Sequence, residues 1–338
     1  SKESESGSLE RVFTRPKNSY MRNFYFQHKE LLADAQLALY GRVLGHFGVT
    51  LEHLIEWFFT SYLADEFDVR GFQVNLPSAQ SGAMEKCRMI LPELDYVFKQ
   101  FNQLVEDGSI DHELLRISSK PLLLSECRSL LTRKYAYLKR SSNDSLERFL
   151  FLMFSDQCML TYPRDCSDDG YDSLFHVMLE RRSVKTDDFH ESRKLEIQWL
   201  EEHGYLAKDG DGNYSLVDLE EMSILWDLHH NDCVNYWRNP PNTRLVLDNL
   251  AKKGWITFGD TLLSRPEQEY FSYYLNRQAG FGNSLDLRNH YLHGTQADAP
   301  NNDSYHLQNY QRFLKLMIIL VIKINDELCL RGEVEPVD

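Results

Sequence analysis

The spacing of apolar residues predicts helices over the first half of the chain. Apolar side chains recur every three or four residues across residues 28–46 and 50–67, which predicts two helices joined as a hairpin. Residues 71–82 are polar and include Pro77, so they predict a loop. Similar apolar spacing, with helix-start residues before several of the segments, predicts further helices at residues 84–105, 121–140, 146–159 and 171–182.

A change of pattern near residue 191 predicts a second kind of domain. A helix at residues 195–203 ends at Gly204, and residues 208–216 contain two Asp-Gly pairs between short apolar pieces, which is typical of a β-hairpin. This order of elements resembles the recognition helix and wing of a winged-helix domain. The spacing from Leu200 to Gly204 recurs 50 residues later from Leu250 to Gly254. The pattern fits two winged-helix-like units, or one unit with a degenerate partner.

The last third of the chain predicts a helical bundle. Residues 267–276 form one helix, and Ser304 begins a longer one that runs to about residue 328. The middle of the longer helix is apolar on nearly every side, so it should be buried on several sides. The predicted fold class is mainly α, with a small α+β middle segment. The predicted divisions are a disordered tail at residues 1–19, a helical domain at 20–190, a winged-helix-like segment at 191–265 and a helical bundle at 266–338.

The stretch 283–294 combines helix-forming residues with candidate chemistry. Asn283 or Ser284 can cap a helix there, and the helix would carry Arg288, Asn289 and His293 on one side, at about 100° per residue. A guanidinium can neutralise a phosphate through two hydrogen bonds, and an imidazole transfers protons near neutral pH. These three residues are either capping and surface residues near a helix end or an anion site at which His293 transfers protons, Arg288 binds phosphate and Asn289 orients His293.

The spacing Arg288-Asn289-three residues-His293, ahead of a long terminal helix, resembles the motif of the HEPN superfamily. The resemblance covers roughly residues 266–332. It implies a helical bundle that acts as a metal-independent endoribonuclease in a prokaryotic defence or toxin–antitoxin system. It also implies a homodimer in which two protomers place their motifs in one cleft. Such a dimer is expected to bury Leu285, Leu292 or part of the terminal helix.

Net charge limits how the chain can bind nucleic acid. The formal charge is −14, and residues 193–265 carry 8 Lys and Arg against 12 Asp and Glu. An acidic surface disfavours non-specific duplex binding, so this segment favours a structural or protein-binding role. RNA contacts would then come from a local basic stretch interleaved with tyrosines. The alternative interpretation of this stretch is a solvated helix face. His290 is likewise either an RNA contact or a surface histidine. The candidate basic residues are Arg133, Lys134, Lys139 and Arg140.

Other signals exclude several classes of protein. The 6 cysteines are scattered without a Cys-x-x-Cys pair, and no His-Glu-x-x-His spacing occurs, so no metal site or cofactor is predicted. The longest apolar run, residues 316–322, is far shorter than the roughly 20 residues that span a bilayer. We expect a cytoplasmic protein with an RNA substrate, a second copy of itself and a regulatory protein as partners. The alternative function is a non-catalytic helical and winged-helix scaffold that binds a protein partner.

Overall fold

Two compact units make up the chain in the computed structural model, which describes residues 19–117, 122–140, 144–164, 171–276, 281–292 and 303–333. The helical unit combines the described residues of Arg15–Thr132 and Asp260–Asp338. The insert unit comprises the described residues of Arg133–Gly259. Apart from Ser19, the predicted tail at residues 1–19 lies outside the described residues.

The described residues are mainly helical with two small antiparallel sheets, which confirms the predicted mainly α class. A π-helical turn at Phe58–Tyr62 joins the second and third helices. The helices are α1 (Phe24–His46), α2 (Leu51–Trp57), α3 (Leu63–Phe67), α4 (Ala83–Asp107), α5 (His112–Ile117), α6 (Asp144–Phe154), α7 (Leu174–Arg181), α8 (Lys194–Glu202), α9 (Leu219–Asn231), α10 (Pro241–Lys252), α11 (Arg265–Leu275), α12 (Leu287–Leu292) and α13 (Asp303–Glu333). The strands are β1 (Tyr135–Leu138), β2 (Val184–Lys185), β3 (Leu206–Lys208), β4 (Asn213–Leu216), β5 (Val234–Asn235) and β6 (Ile256–Gly259).

The core of the helical unit forms where α4 packs against α13. Buried side chains of α4 such as Leu94 and Phe98 join Phe313, Met317 and Leu320 of α13 in one apolar cluster. The prediction that this terminal helix is buried on several sides is therefore confirmed. At about 1.5 Å per residue, α13 is roughly 46 Å long and spans the unit that carries the candidate motif.

The chain leaves the helical unit and returns to it through two neighbouring segments. The Ser129 amide donates to the Asp260 carbonyl at 2.8 Å, and the Leu262 amide donates to the Cys127 carbonyl at 2.9 Å. These antiparallel contacts hold both ends of the insertion at one place. The contacts therefore divide the chain near residues 133 and 259, whereas the sequence-based divisions were at residues 190 and 265.

The insert unit contains a strand where the sequence predicted a helix. The predicted helix at residues 121–140 is wrong, because none of the described residues 122–139 is helical and Tyr135–Leu138 forms β1 between β5 and β6. Tyr135, Ala136 and Tyr137 are buried, and β1 pairs antiparallel with both neighbours. Pairing with strands about 100 residues distant outweighs the local apolar spacing, because helix propensity is only a weak preference.

Two parts of the insert unit repeat the same backbone pattern 50 positions apart. Helices α7 and α9 both end at a residue in the left-handed conformation, Arg182 with φ 62° and Asp232 with φ 61°, and a short strand follows each. Helices α8 and α10 are followed by Gly204 with φ 74° and Gly254 with φ 76°. Tyr205 and Trp255 each donate an amide hydrogen bond back into the preceding helix, to residues 200 and 250.

The two sheets complete the repeats in different ways. The first sheet has the strand order β2-β4-β3, and the second has the order β5-β1-β6. The middle strand of the first sheet, β4, follows its repeat along the chain and pairs with β3 in the predicted hairpin, which is confirmed. The middle strand of the second sheet, β1, precedes both repeats. Strand β1 therefore occupies in the second sheet the position that β4 occupies in the first.

Candidate functional site

The motif helix α12 begins later than the sequence predicted. Asp286 adopts the left-handed conformation with φ 51°, and its carbonyl accepts the His290 amide at 3.2 Å. The Asp286 carboxylate accepts a hydrogen bond from the Asn289 side-chain amide at 2.8 Å. Asp286 therefore fixes the start of α12 at Leu287, in place of the predicted caps Asn283 and Ser284.

Asn283 has a different role from the predicted cap. Its side-chain amide donates to the Tyr20 carbonyl at 3.0 Å, while its side-chain oxygen accepts the Tyr20 amide at 2.8 Å. The Tyr20 ring stacks on the ring of Tyr273 in α11, with centroids 4.8 Å apart. These contacts tie the chain before α1 to the segment that leads into the motif helix.

Arg288 is held by a carboxylate from another helix. Its guanidinium lies 2.6 Å from a carboxylate oxygen of Asp95 in α4, and both side chains are about two-thirds covered. Burial raises the pKa of Asp95 above its ordinary value, although the positive charges of Arg288 and Lys99 act in the opposite direction. The ion pair orients the guanidinium. Since a guanidinium has five N–H donors, Arg288 retains donors for a phosphate.

Buried hydrogen bonds to α13 fix the side of α12 that carries Tyr291. The Tyr291 hydroxyl lies 2.9 Å from Nδ1 of His306 and accepts a hydrogen bond from the Asn309 amide at 3.0 Å. Both partners lie in α13 and are fully buried. The Cys87 thiol donates to the His306 carbonyl at 3.2 Å, and burial raises the pKa of that thiol to about 11. Cys87 therefore stays protonated near neutral pH and serves packing.

The structure brings only part of the predicted site together. Arg288, Asn289 and His290 lie on α12, where each is partly buried. His293 lies outside the described residues, so the predicted contact between Asn289 and His293 stays a prediction. Leu285 packs against the core of its own unit, whereas Leu292 is 39% exposed.

The predicted basic stretch lies in the insert unit, and several of its side chains contact protein groups. Arg133 forms an ion pair with Asp248, and its guanidinium lies 4.2 Å from the ring centroid of Phe258. Lys134 is only 1% exposed, so the surface does not present it to RNA, and the predicted contact at Lys134 is not retained. The Arg140 guanidinium lies 3.4 Å from Nδ1 of His229. Lys139 is exposed.

Sequence reasoning missed Asp95, His306 and Asn309. Asp95 lies 193 positions before Arg288, and no local spacing connects them. One signal was present, because Asp95 lies in α4 beside the buried residues Leu94 and Phe98. A carboxylate at the edge of an apolar face is a candidate for a charged partner, since an unpaired buried charge is costly.

Comparisons with known proteins do not assign this chain to a family. No family model, no curated protein and no solved structure matches it. Within the described residues, no group of three or more His, Cys, Asp or Glu side chains is placed to hold a metal ion. Among the helices of those residues, none is both long and apolar enough to cross a membrane.

Proposed function

We propose that the protein is a metal-independent endoribonuclease of the HEPN type that acts as an effector in a prokaryotic defence or toxin–antitoxin system. The observation that carries the proposal is the ion pair between Arg288, on the motif helix α12, and Asp95 of α4. The contact between Tyr291 of α12 and His306 of α13 holds the motif helix in place. An arginine oriented by a carboxylate, five residues before a histidine, supplies a positioned phosphate ligand and a proton-transfer group.

The proposed reaction is an internal transesterification of RNA. The 2′-oxygen attacks the adjacent phosphorus while the bond to the 5′-oxygen breaks, which leaves a 2′,3′-cyclic phosphate and a 5′-hydroxyl. His293 takes the proton from the 2′-hydroxyl, and Arg288 neutralises charge on the non-bridging oxygens. Asp95 is a positioning residue, because it acts on the phosphate only through Arg288.

One motif supplies one imidazole, whereas the reaction uses both a base and an acid. A second copy of the motif across a two-fold axis would supply the acid that protonates the leaving 5′-oxygen. We therefore propose a homodimer as the active form, with a regulatory protein as an additional partner.

The fold proposal assigns the helical unit to the HEPN-like bundle and the insert unit to two winged-helix-like units. Each repeat contains a helix, a short strand, a second helix and a further strand, and three antiparallel strands complete each sheet. The excess of acidic residues over residues 193–265 supports protein binding by this unit in preference to duplex binding.

The nature of the reaction products tests the proposal. The full chain is incubated with single-stranded and structured RNA, with and without EDTA, and in the presence of cell extract to supply an activating signal. We expect cleavage that EDTA does not stop, with 2′,3′-cyclic phosphate and 5′-hydroxyl ends. Cleavage that requires a divalent ion and leaves 5′-phosphate ends would contradict it.

The second candidate is a non-catalytic scaffold that binds a protein partner. It is favoured by the Asp95 carboxylate, which already neutralises Arg288 and must share it with any phosphate. It is also favoured by Leu195 and Leu245, which are equivalent positions of the two repeats and are 74% and 58% exposed. RNA that stays intact under every condition above would make the scaffold the better account.

A further inference from the structure

Helix α1 carries an apolar surface on the side that faces away from its own unit. Its inner side, with Phe26, Ala33 and Leu37, is partly buried. At about 100° per residue, a second apolar set lies roughly 150° around the helix. None of the 23 residues of α1 is fully buried. This second set, called here the outer stripe, is Phe24, Tyr25, Leu31, Leu32, Leu39 and Val43.

The outer stripe is about as large as the largest exposed apolar patches of ordinary monomers. Its six side chains are between 44% and 85% exposed. They present on the order of 600 Å², taking about 150–250 Å² for a whole large side chain. The largest apolar patch of a typical monomer is about 300–600 Å². This area is about three-quarters of the roughly 800 Å² per partner that a stable interface buries.

The order of residues along the stripe makes it complementary to itself. Leu31, Ala35 and Leu39 follow one another at intervals of four residues. When two copies cross antiparallel at Ala35, Leu31 of each copy faces Leu39 of the other. The small Ala35 side chain allows the two backbones to approach closely at the crossing point. A two-fold interface requires this self-complementarity, because the same surface serves both copies.

Charge on the stripe is consistent with a second copy as the occupant. Between Phe24 and Leu39, the charged residue beside the stripe is Lys29, whose ammonium lies 5.3 Å from the centroid of the Tyr25 ring at the edge of the stripe. The next charged residue on this side is Arg42, which in the antiparallel arrangement faces His28 of the other copy. A guanidinium donates hydrogen bonds, and an imidazole nitrogen is able to accept one.

We infer that α1 is the dimerisation helix, on which a second copy of this chain docks antiparallel through its own outer stripe. The start of α1 is connected to the motif segment through the two hydrogen bonds between Tyr20 and Asn283. The interface and the candidate site thus belong to one unit. The inference rests on the proposed function only where the second copy supplies a second motif for catalysis. The outer stripe itself is a property of α1 and does not depend on that function.

Light scattering of the full chain at tens of micromolar tests the inference. We expect the wild type to have the mass of a dimer and the double variant Leu31→Glu/Leu39→Glu to have the mass of a monomer with unchanged circular dichroism. The control is the double variant Leu195→Glu/Leu245→Glu, which places the same two charges at comparably exposed leucines of the insert unit and should leave the dimer intact. A monomeric wild type, or a double variant that remains dimeric, overturns the inference.

A cross-link tests the crossing point independently of the charge substitutions. The exposed Cys329 is first replaced by Ser, and Ala35→Cys is then introduced and oxidised. We expect a covalent dimer, whereas the exposed control Arg70→Cys should give none. Failure of Ala35→Cys to cross-link overturns the antiparallel arrangement. Neither experiment uses RNA, so a stripe-dependent dimer that cleaves no RNA supports this inference and counts against the proposed function.

Discussion

At the residue scale, the contact between Arg288 and Asp95 decides how the motif arginine is presented. The carboxylate holds the guanidinium from α4, and α12 alone is too short to fix a long side chain. Replacing Asp95 by Asn removes the charge while keeping the size of the side chain. We expect RNA cleavage to fall on the order of 10- to 100-fold, because a small displacement of a positioned group is costly to the rate.

The comparison variant for Asp95 is Glu93→Gln, two positions away on the same helix. Glu93 contacts the Asn75 amide and has no part in the proposed site. Its cleavage rate should match that of the wild type. A rate for Asp95→Asn equal to or above the wild-type rate would show that the carboxylate competes with phosphate and does not position Arg288.

Glu30 gives the helical unit a defined response to acid. Lys315 of α13 donates to it at 2.8 Å, and Tyr270 of α11 donates at 2.7 Å. Burial alone would raise the pKa of Glu30, but the hydrogen bonds from Lys315, Tyr274 and Tyr270 lower it below its ordinary value. Because the folded-state pKa is lowered, the carboxylate stabilises the fold above its unfolded pKa of about 4.3.

Acid unfolding should therefore depend on Glu30. The stabilisation is lost as the pH falls from about 4.3 through the lower folded-state pKa. Glu30→Gln should lower the free energy of unfolding at neutral pH by about 1.5–3 kcal/mol and flatten its dependence on pH below this range. Urea unfolding at several pH values measures both, with the exposed Glu66→Gln as control. An unchanged slope in Glu30→Gln would refute the assignment.

At the element scale, the two repeats of the insert unit require the same left-handed backbone conformation at equivalent positions. Gly204 and Gly254 both have a positive φ, and neither has an atom within 4 Å of where a Cβ would lie. A substitution there is therefore costly for conformational reasons alone. Alanine in the left-handed region costs about 1–2 kcal/mol.

Gly204→Ala and Gly254→Ala should each lower the free energy of unfolding of the insert unit by about 1–2 kcal/mol. Gly210 also has open space around it but lacks the left-handed conformation, so Gly210→Ala should leave stability nearly unchanged. Tryptophan fluorescence during urea unfolding reports mainly on this unit, because four of the five tryptophans, Trp199, Trp226, Trp237 and Trp255, lie in it. Unequal losses at Gly204 and Gly254 would contradict the equivalence of the repeats.

The local sequence pattern predicted some of these elements correctly and missed others. The turn before β4 was predictable, since the Asp209 carboxylate accepts hydrogen bonds from residues 211 and 213 that are close in sequence. Strand β1 was not predictable, because its apolar spacing also suits a helix and its partners lie far along the chain. The start of α12 was mislocated because the left-handed Asp286 replaces the expected cap.

At the scale of the whole molecule, distant parts of the chain build the helical unit around an insertion. The candidate site takes Asp95 from before the insertion and Arg288 from after it. Sequence alone supplied Arg288, Asn289 and His293 through their spacing. It did not supply Asp95 or the buried hydrogen bonds of Tyr291, because these depend on how the two segments pack against each other.

The rate of RNA cleavage by His293→Ala decides whether the motif helix carries the proposed reaction. General acid–base catalysis contributes roughly 10²–10⁴-fold, so the account predicts a loss of this size at an unchanged fold, with or without EDTA. Arg288→Lys should lose nearly as much, since Lys lacks the planar fork of donors, while the exposed control Arg70→Ala should cleave normally. Cleavage by His293→Ala at the wild-type rate, together with inhibition by EDTA, would contradict the account and place the reaction at another site.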